Sequence, residues 1–198
     1  MPPHKRDPRA EIVAAAAGLL DRYGIADLTM RRLARDLELT PGALYWHFAN
    51  KQELLGAVAD RLLAPVRAAG AAPGWRERIE GLCLRLRDAL LSHTDGAELV
   101  AASHAAGQSA TLDEVVARLA GAAAEAGFGP GHAELAARTV LYYVLGFTVD
   151  EQSRRQWDAA GSALSAQAAP AADPDRQFAF GLNLVIDGLA AHQRVPVG

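Results

Sequence analysis

A chain of 198 residues can bury a sizeable core in one large or two small domains, and 51% hydrophobic content excludes a disordered protein. No apolar run reaches the length of a membrane span and MPPHKRDPRA lacks the apolar stretch of a signal peptide, so a cytoplasmic protein without membrane association is expected. The net charge of −3 hides an asymmetry: eight bases against six acids give +2 through residue 51 and leave −5 beyond, a mildly basic end on an acidic remainder.

Asp7-Pro8 opens a first helix, cap then proline, with Ile12, Ala15, Ala16, Leu19, Leu20 and Tyr23 on its apolar face and Gly24 at its end. In TMRRLARDLELTPGALYWHFANK, residues 29–51, Met30, Leu33, Ala34 and Leu37 recur at helical spacing, which leaves Arg31, Arg32 and Arg35 free to face a polyanion. Thr40-Pro41 restarts the chain as a very short helix carrying Gly42, Ala43, Tyr45, Trp46 and His47, small and aromatic groups that let a backbone lie close to sugar and phosphate. Asn50 and Glu53 form a capping box that sets Lys51 at the N-terminus of a helix running to about Val66, and that position favours phosphate. Three helices thus make a head with Lys5, Arg6 and Arg9 near a duplex. The spacing alone fits equally two packed helices with a solvated basic face.

Residues 64–73 read as the end of the helix begun at Lys51 and a loop, and beyond them a helix from Trp75 to about Ser92 carries Ile79, Leu82, Leu86, Ala89 and Leu90. The single cysteine, Cys83, sits among its leucines and reads as core filler rather than a redox switch. Ser92, His93 and Asp95 do not form a hydrolytic triad, because neighbours at a helix terminus point apart; His93 suits a helix C-terminus and Asp95-Gly96 a turn. A short helix is expected over 98–104. Thr111 with Glu114 reads as a capping box for a helix ending near Gly127. The segments 132–155 and 174–192 are apolar around most of their circumference, so they need cover on several sides. A homodimer that packs both helices against their copies as a four-helix bundle supplies it, and an internal core is the alternative. Between them, residues 158–172 read as a mobile Ala/Ser/Gln/Pro-rich connection.

LTMRRLA followed by TPGALYWHFANKQEL is similar to the helix-turn-helix of the tetracycline-repressor (TetR) family of bacterial transcriptional regulators. One position departs from that pattern: Glu38 stands where the turn usually has glycine, and left-handed geometry there costs a non-glycine residue roughly 1–2 kcal/mol. RDALLSHTDGAEL, LGFTVDEQ and the run from Phe178 to Leu189 extend the resemblance, closest to the tetracycline-repressor subgroup, over most of the chain. It implies an all-α protein, with a three-helix DNA-binding head and linking helix over 1–66 and a larger helical ligand-binding and dimerisation body over 67–198. It also implies a homodimer that represses transcription on double-stranded operator DNA and is released by a small-molecule inducer, with no enzyme activity and no cofactor. Carried over by position, Arg31 reads a base edge, Thr29, Tyr45, Trp46 and Lys51 hold phosphates, Pro41, Gly42 and Ala43 approach bases or methyls, and His47 completes the surface.

In the drug repressors of this family a histidine and an asparagine anchor magnesium–tetracycline, and a glutamate reaches the metal through water. Val100 and Leu82 occupy the anchor positions here and Asp150 the acidic one. Valine and leucine offer no ligand to a hard cation, so no metal site is expected and the inducer is expected to be another organic molecule. The polar and aromatic candidates to line its pocket are His104, Gln108, Tyr142, Tyr143 and Phe147, with Gln152 and Trp157. Asp150 either closes that pocket or caps a solvated face. Control by a protein partner, or a small helical enzyme on the same scaffold, are the rival readings; no nucleotide loop, metal-ligand spacing or converging acid–base set supports the enzyme.

Overall fold

The computed structural model describes residues 7–67, 72–159 and 173–192, and every regular element among them is a helix. In order these are α1 (Pro8–Asp27), α2 (Met30–Asp36), α3 (Pro41–Tyr45), α4 (Lys51–Leu62), α5 (Ala64–Arg67), α6 (Trp75–Leu91), α7 (Gly96–Ala105), α8 (Ala110–Glu125), α9 (Pro130–Ala159) and α10 (Pro174–His192). Two compact units form, one from the residues up to Ala64 with Ala89–Leu112, the other from Pro65–Asp88 with Asp113 onward. Over 64–73, expected as the end of the preceding helix and a loop, α4 has already stopped at Leu62 and a separate one-turn helix, α5, follows; residues 68–71 lie outside the described residues. Of the expected connection 158–172, Asp158 and Ala159 continue α9; the rest lies outside the described residues, as do Lys5 and Arg6.

In the first unit, a side-chain oxygen caps the start of each of α1 to α4. Asp7 accepts from Arg9 N (3.0 Å), Thr29 from Arg32 N (3.1 Å), Thr40 from Ala43 N (3.3 Å) and Asn50 from Glu53 N (2.8 Å). The capping box is displaced by one residue: Glu53 reaches the N–H of Ala49 (2.8 Å), not that of Asn50. Leu33, Leu44, Phe48, Leu54, Val58, Ile12, Leu19 and Leu20 are all buried, and α1 packs against α2 and α4. α4 also packs on α7, with Gly56 against the backbone of Gln108.

Gly24 breaks α1 at φ +77°, ψ 175°, which strips the N–H of Ile25 of its helical acceptor. Asp95 restores one, its Oδ2 accepting from Ile25 N at 2.9 Å. A Cβ on Gly24 would lie 2.6 Å from that oxygen, so space as well as backbone geometry calls for glycine. Asp21 meanwhile accepts from Thr94 N (3.2 Å) and meets His93 Nδ1 (3.1 Å), while the Thr94 hydroxyl donates to Asp21 O (3.0 Å). The 93–95 corner thus fastens α1.

The start of α8 corrects the sequence reading. Ser109, not Thr111, supplies the cap, its Oγ accepting from Leu112 N (3.2 Å) and donating to Asp60 Oδ1 (2.7 Å). Asp60 also accepts from Thr111 N (2.9 Å), and Glu114 pairs with Arg67. A carboxylate 51 residues away does what a local box was expected to do.

In the second unit, Ile79, Leu82, Cys83, Leu86, Leu119, Val140, Leu141, Val144, Phe178, Leu182 and Ile186 are buried. Burial pushes the Cys83 thiol up to about 12, so it stays protonated and unreactive at neutral pH. Arg87 is buried between Glu151 (Nε–Oε2 2.9 Å, Nη2–Oε1 3.0 Å) and Asp175 (2.8 Å), with its guanidinium 4.8 Å from the Phe178 ring centroid. Burial opposes the charge, but the hydrogen bonds that Arg87 donates to Asp175 and Glu151 outweigh it and raise the arginine pKa. Removing one partner of such a pair leaves an uncompensated buried charge, at a cost of about 3–5 kcal/mol. The group joins α6, α9 and α10.

Candidate nucleic-acid interface

α2 and α3 make the helix-turn-helix, and the turn between them is closed by backbone geometry. Leu39 N donates to Ala34 O (2.8 Å) and Glu38 N to Arg35 O (3.2 Å), the pair of reverse bonds that end a helix through a left-handed residue. That residue is Glu38, at φ 55°, so the turn keeps its usual shape and carries the strain.

The nine residues assigned to DNA contact fall on this motif and the start of α4. Trp46 is 90% exposed and Tyr45 52%, two large aromatics left in water by a unit whose other large apolar groups are mostly buried. Pro41 and Gly42 are exposed, and only the Thr40 hydroxyl approaches the Gly42 backbone, at 3.9 Å from a built Cβ. Ala43 and Lys51 are half-buried. The Thr29 hydroxyl accepts from Arg32 N, which leaves its proton available to a phosphate oxygen.

The basic residues divide. Arg31 and Arg35 are exposed and their side chains make no ion pair among the described residues. Arg32, expected to be free, is bound instead to Asp27, with its guanidinium 3.8 Å from the Tyr23 ring centroid. Arg9 is also engaged internally: it donates to the His47 carbonyl, pairs with Glu53 (2.9 Å) and stacks over Phe48 at 4.1 Å. His47 is half-buried, and its carbonyl is the end of this staple. The staple ties α1 to α3 and α4, so Arg9 positions the surface rather than extending it. Sequence gave no local signal for it, since its partners lie 38 and 44 residues on. The Ala49 N–H, then Arg9, hold the Glu53 carboxyl below its ordinary range.

The inducer candidates are less united. On α9, Tyr143 and Phe147 pack with Phe178 (ring centroids 5.3–6.0 Å apart), and the Tyr143 hydroxyl donates to Phe178 O at 2.7 Å. Tyr142 and Asp150 are exposed, and Asp150 pairs with Arg154 at 2.5 Å. Trp157 is exposed and Gln152 buried. In the other unit, His104 is half-buried on α7, and Gln108 is exposed just beyond it. Val100 and Leu82 are both buried. Among the described residues no three of His, Cys, Asp and Glu come together as metal donors, and no helix is long and apolar enough to cross a membrane.

Residues 12–58 match the model of "Bacterial regulatory proteins, tetR family", and residues 69–193 that of "Tetracyclin repressor-like, C-terminal domain". The chain belongs to the TetR family. Among its relatives is the class A tetracycline repressor from transposon 1721 of Escherichia coli, 34% identical over 93% of this chain and 91% of the repressor. The crystal structure of Mycobacterium smegmatis BioQ, another TetR-fold protein, is 60% identical, covers 94% of this chain and 99% of its own, and superposes with a TM-score of 0.87. A structure of BioQ with its natural double-stranded DNA operator is 58% identical over 94% of this chain and all of its own, at a TM-score of 0.82. The TetR assignment fixes the broad function: a DNA-binding transcriptional repressor with a helix-turn-helix at its N-terminal end and a helical C-terminal body.

Proposed function

We propose a cytoplasmic, homodimeric, ligand-responsive repressor, a regulator without catalytic activity, with recognition in residues 1–66 and ligand binding and dimerisation in 67–198. Arg31 reads a base edge in the major groove. Thr29, Tyr45, Trp46 and Lys51 hold the phosphates, and Pro41, Gly42, Ala43 and His47 form the close-approach surface. The observation that carries this reading is the exposed set on α2 and α3, an unpaired Arg31 beside two solvent-exposed aromatics, in a chain 58% identical to a protein crystallised on its operator.

The inducer is a small organic molecule other than magnesium–tetracycline, and the pair Leu82 and Val100 supports that choice. Both are buried and neither can ligate a hard cation or donate a hydrogen bond. Dimerisation uses α9 and α10, where Leu135, Phe180 and Leu184 are left exposed by a single chain. An inducer that moves such a dimer from 99:1 competent to 1:99 must prefer the incompetent state by about 5.5 kcal/mol, which two sites can share.

The test is to titrate a protein–operator complex with tetracycline, with and without magnesium. No release in either case is expected. Micromolar release that a chelator abolishes overturns the inducer reading.

A further inference from the structure

Between α6 and α8, within the second unit, lies a recess of about 240 Å³ that includes Leu82, at one of the anchor positions, but none of the polar and aromatic inducer candidates named above. Leu82, Leu119 and Ala122 give it an apolar lining. Its volume falls below the ~300–1,000 Å³ typical of pockets for drug-sized ligands, which sets a small occupant.

Its charges do not balance. Three arginines, Arg78, Arg85 and Arg118, face two carboxylates, Glu77 and Glu125. Arg78 is bound by Glu125, and Arg118 donates to the Val66 carbonyl at 3.0 Å. Arg85 has neither an ion pair nor a hydrogen bond among the described residues, and its Nε is shielded from solvent without an acceptor. A guanidinium N–H withdrawn from water and given no partner among the described residues is unfavourable, and so favours binding of an added acceptor. The surplus of one positive charge suits a monoanion. The fork of a guanidinium matches the two oxygens of a carboxylate, and the leucines suit an apolar body behind it.

We propose that this recess binds a small amphipathic organic carboxylate, anchored by Arg85, and that this is the chemical class of the inducer. The inducer role rests on the repressor reading above; the binding site does not.

The experiment uses the full-length protein with octanoate and 2-naphthoate as probes, their uncharged amides as counterparts, and inorganic phosphate as an anion without an apolar body. Calorimetry and thermal melts are run on wild type, Arg85→Met, which keeps the aliphatic stem, and Arg85→Lys, which keeps the charge and loses the fork. The carboxylates bind and raise the melting temperature while the amides and phosphate do not. Arg85→Met weakens carboxylate binding by at least about tenfold, without lowering the ligand-free melting temperature, and Arg85→Lys falls between. Equal binding of the amides, undiminished binding by Arg85→Met, tighter binding of phosphate, or no carboxylate binding at millimolar concentration overturns the site. A large ligand-free destabilisation by Arg85→Met also overturns it, because it reveals a structural partner. Operator release is followed separately by anisotropy. Carboxylate binding that leaves the operator complex intact keeps the site and refutes its role in induction. Release by another compound that Arg85→Met leaves unchanged keeps the ligand-responsive repressor and refutes this site as the place where the inducer acts.

Discussion

A Cβ on Gly56 would lie 2.0 Å from the carbonyl oxygen of Gln108, closer than any real contact, so α4 and the turn after α7 meet backbone to backbone. α4 also carries Asn50, Glu53 and Lys51 at its start, so the same helix joins the proposed recognition surface to this turn. Gly56→Ala forces the two apart. It should destabilise the protein by about 1–3 kcal/mol, the usual range for overpacking, and weaken operator binding at temperatures where the fold persists. Denaturant unfolding and anisotropy on one sample check both; unchanged stability shows that the contact yields freely.

Leu182 and Leu184 are two residues apart and point to different environments: Leu182 is 2% exposed in the single chain, Leu184 59%. Sequence periodicity shows α10 apolar around most of its circumference and does not tell which of those positions face the core. Leu182 belongs to the internal core, so a charge there unfolds the subunit and says nothing of association. Leu184→Asp and Phe180→Asp should give folded monomer in sedimentation with helical content retained. Persistent dimer for both places the interface elsewhere.

Glu53 makes the head sensitive to acid. Its folded pKa is held below the ordinary ~4.3 by the Ala49 N–H and by Arg9, so its stabilising effect is present above that value and is lost as the pH falls through the lower folded one. Wild type should lose melting temperature more steeply than Glu53→Gln as the pH falls below the ordinary ~4.3, and the two curves should converge at the acid end. Parallel curves contradict the assignment.

Local chemistry was legible and distant partnership was not. Asp7, Thr29, Thr40 and Asn50 cap the helices they precede because a cap is a matter of two or three residues, and Asp7-Pro8, Thr40-Pro41 and the Asn50–Glu53 spacing announced three of them. Glu38 in the left-handed turn was visible as a departure from glycine. The Arg9 staple, the Asp60 acceptor at the start of α8 and the buried Arg87–Glu151 pair join residues 38 to 64 positions apart, and no short window contains both partners. Arg32 is a different case: helical spacing leaves it free to face a polyanion, and although Asp27 is only five residues away, spacing alone does not show that Asp27 and Tyr23 engage it. The inducer candidates are the hardest to read, because an aromatic at helical spacing reads alike whether it lines a cavity or, like Tyr143 and Phe147, packs against Phe178.

The most direct test of the recognition surface is an anisotropy titration of wild type, Arg31→Ala and Lys51→Ala on the operator and a set of single-base variants, over 50–200 mM salt. Affinity should fall steeply with salt, and half-sites should repeat at about one helical turn, roughly 34–36 Å. Arg31→Ala should lose about 1–3 kcal/mol and relax preference at one base pair of each half-site, whereas Lys51→Ala should weaken all variants alike and flatten the salt slope by about one. An Arg31→Ala protein that ranks the variants as wild type does, or binding indifferent to salt, contradicts the account.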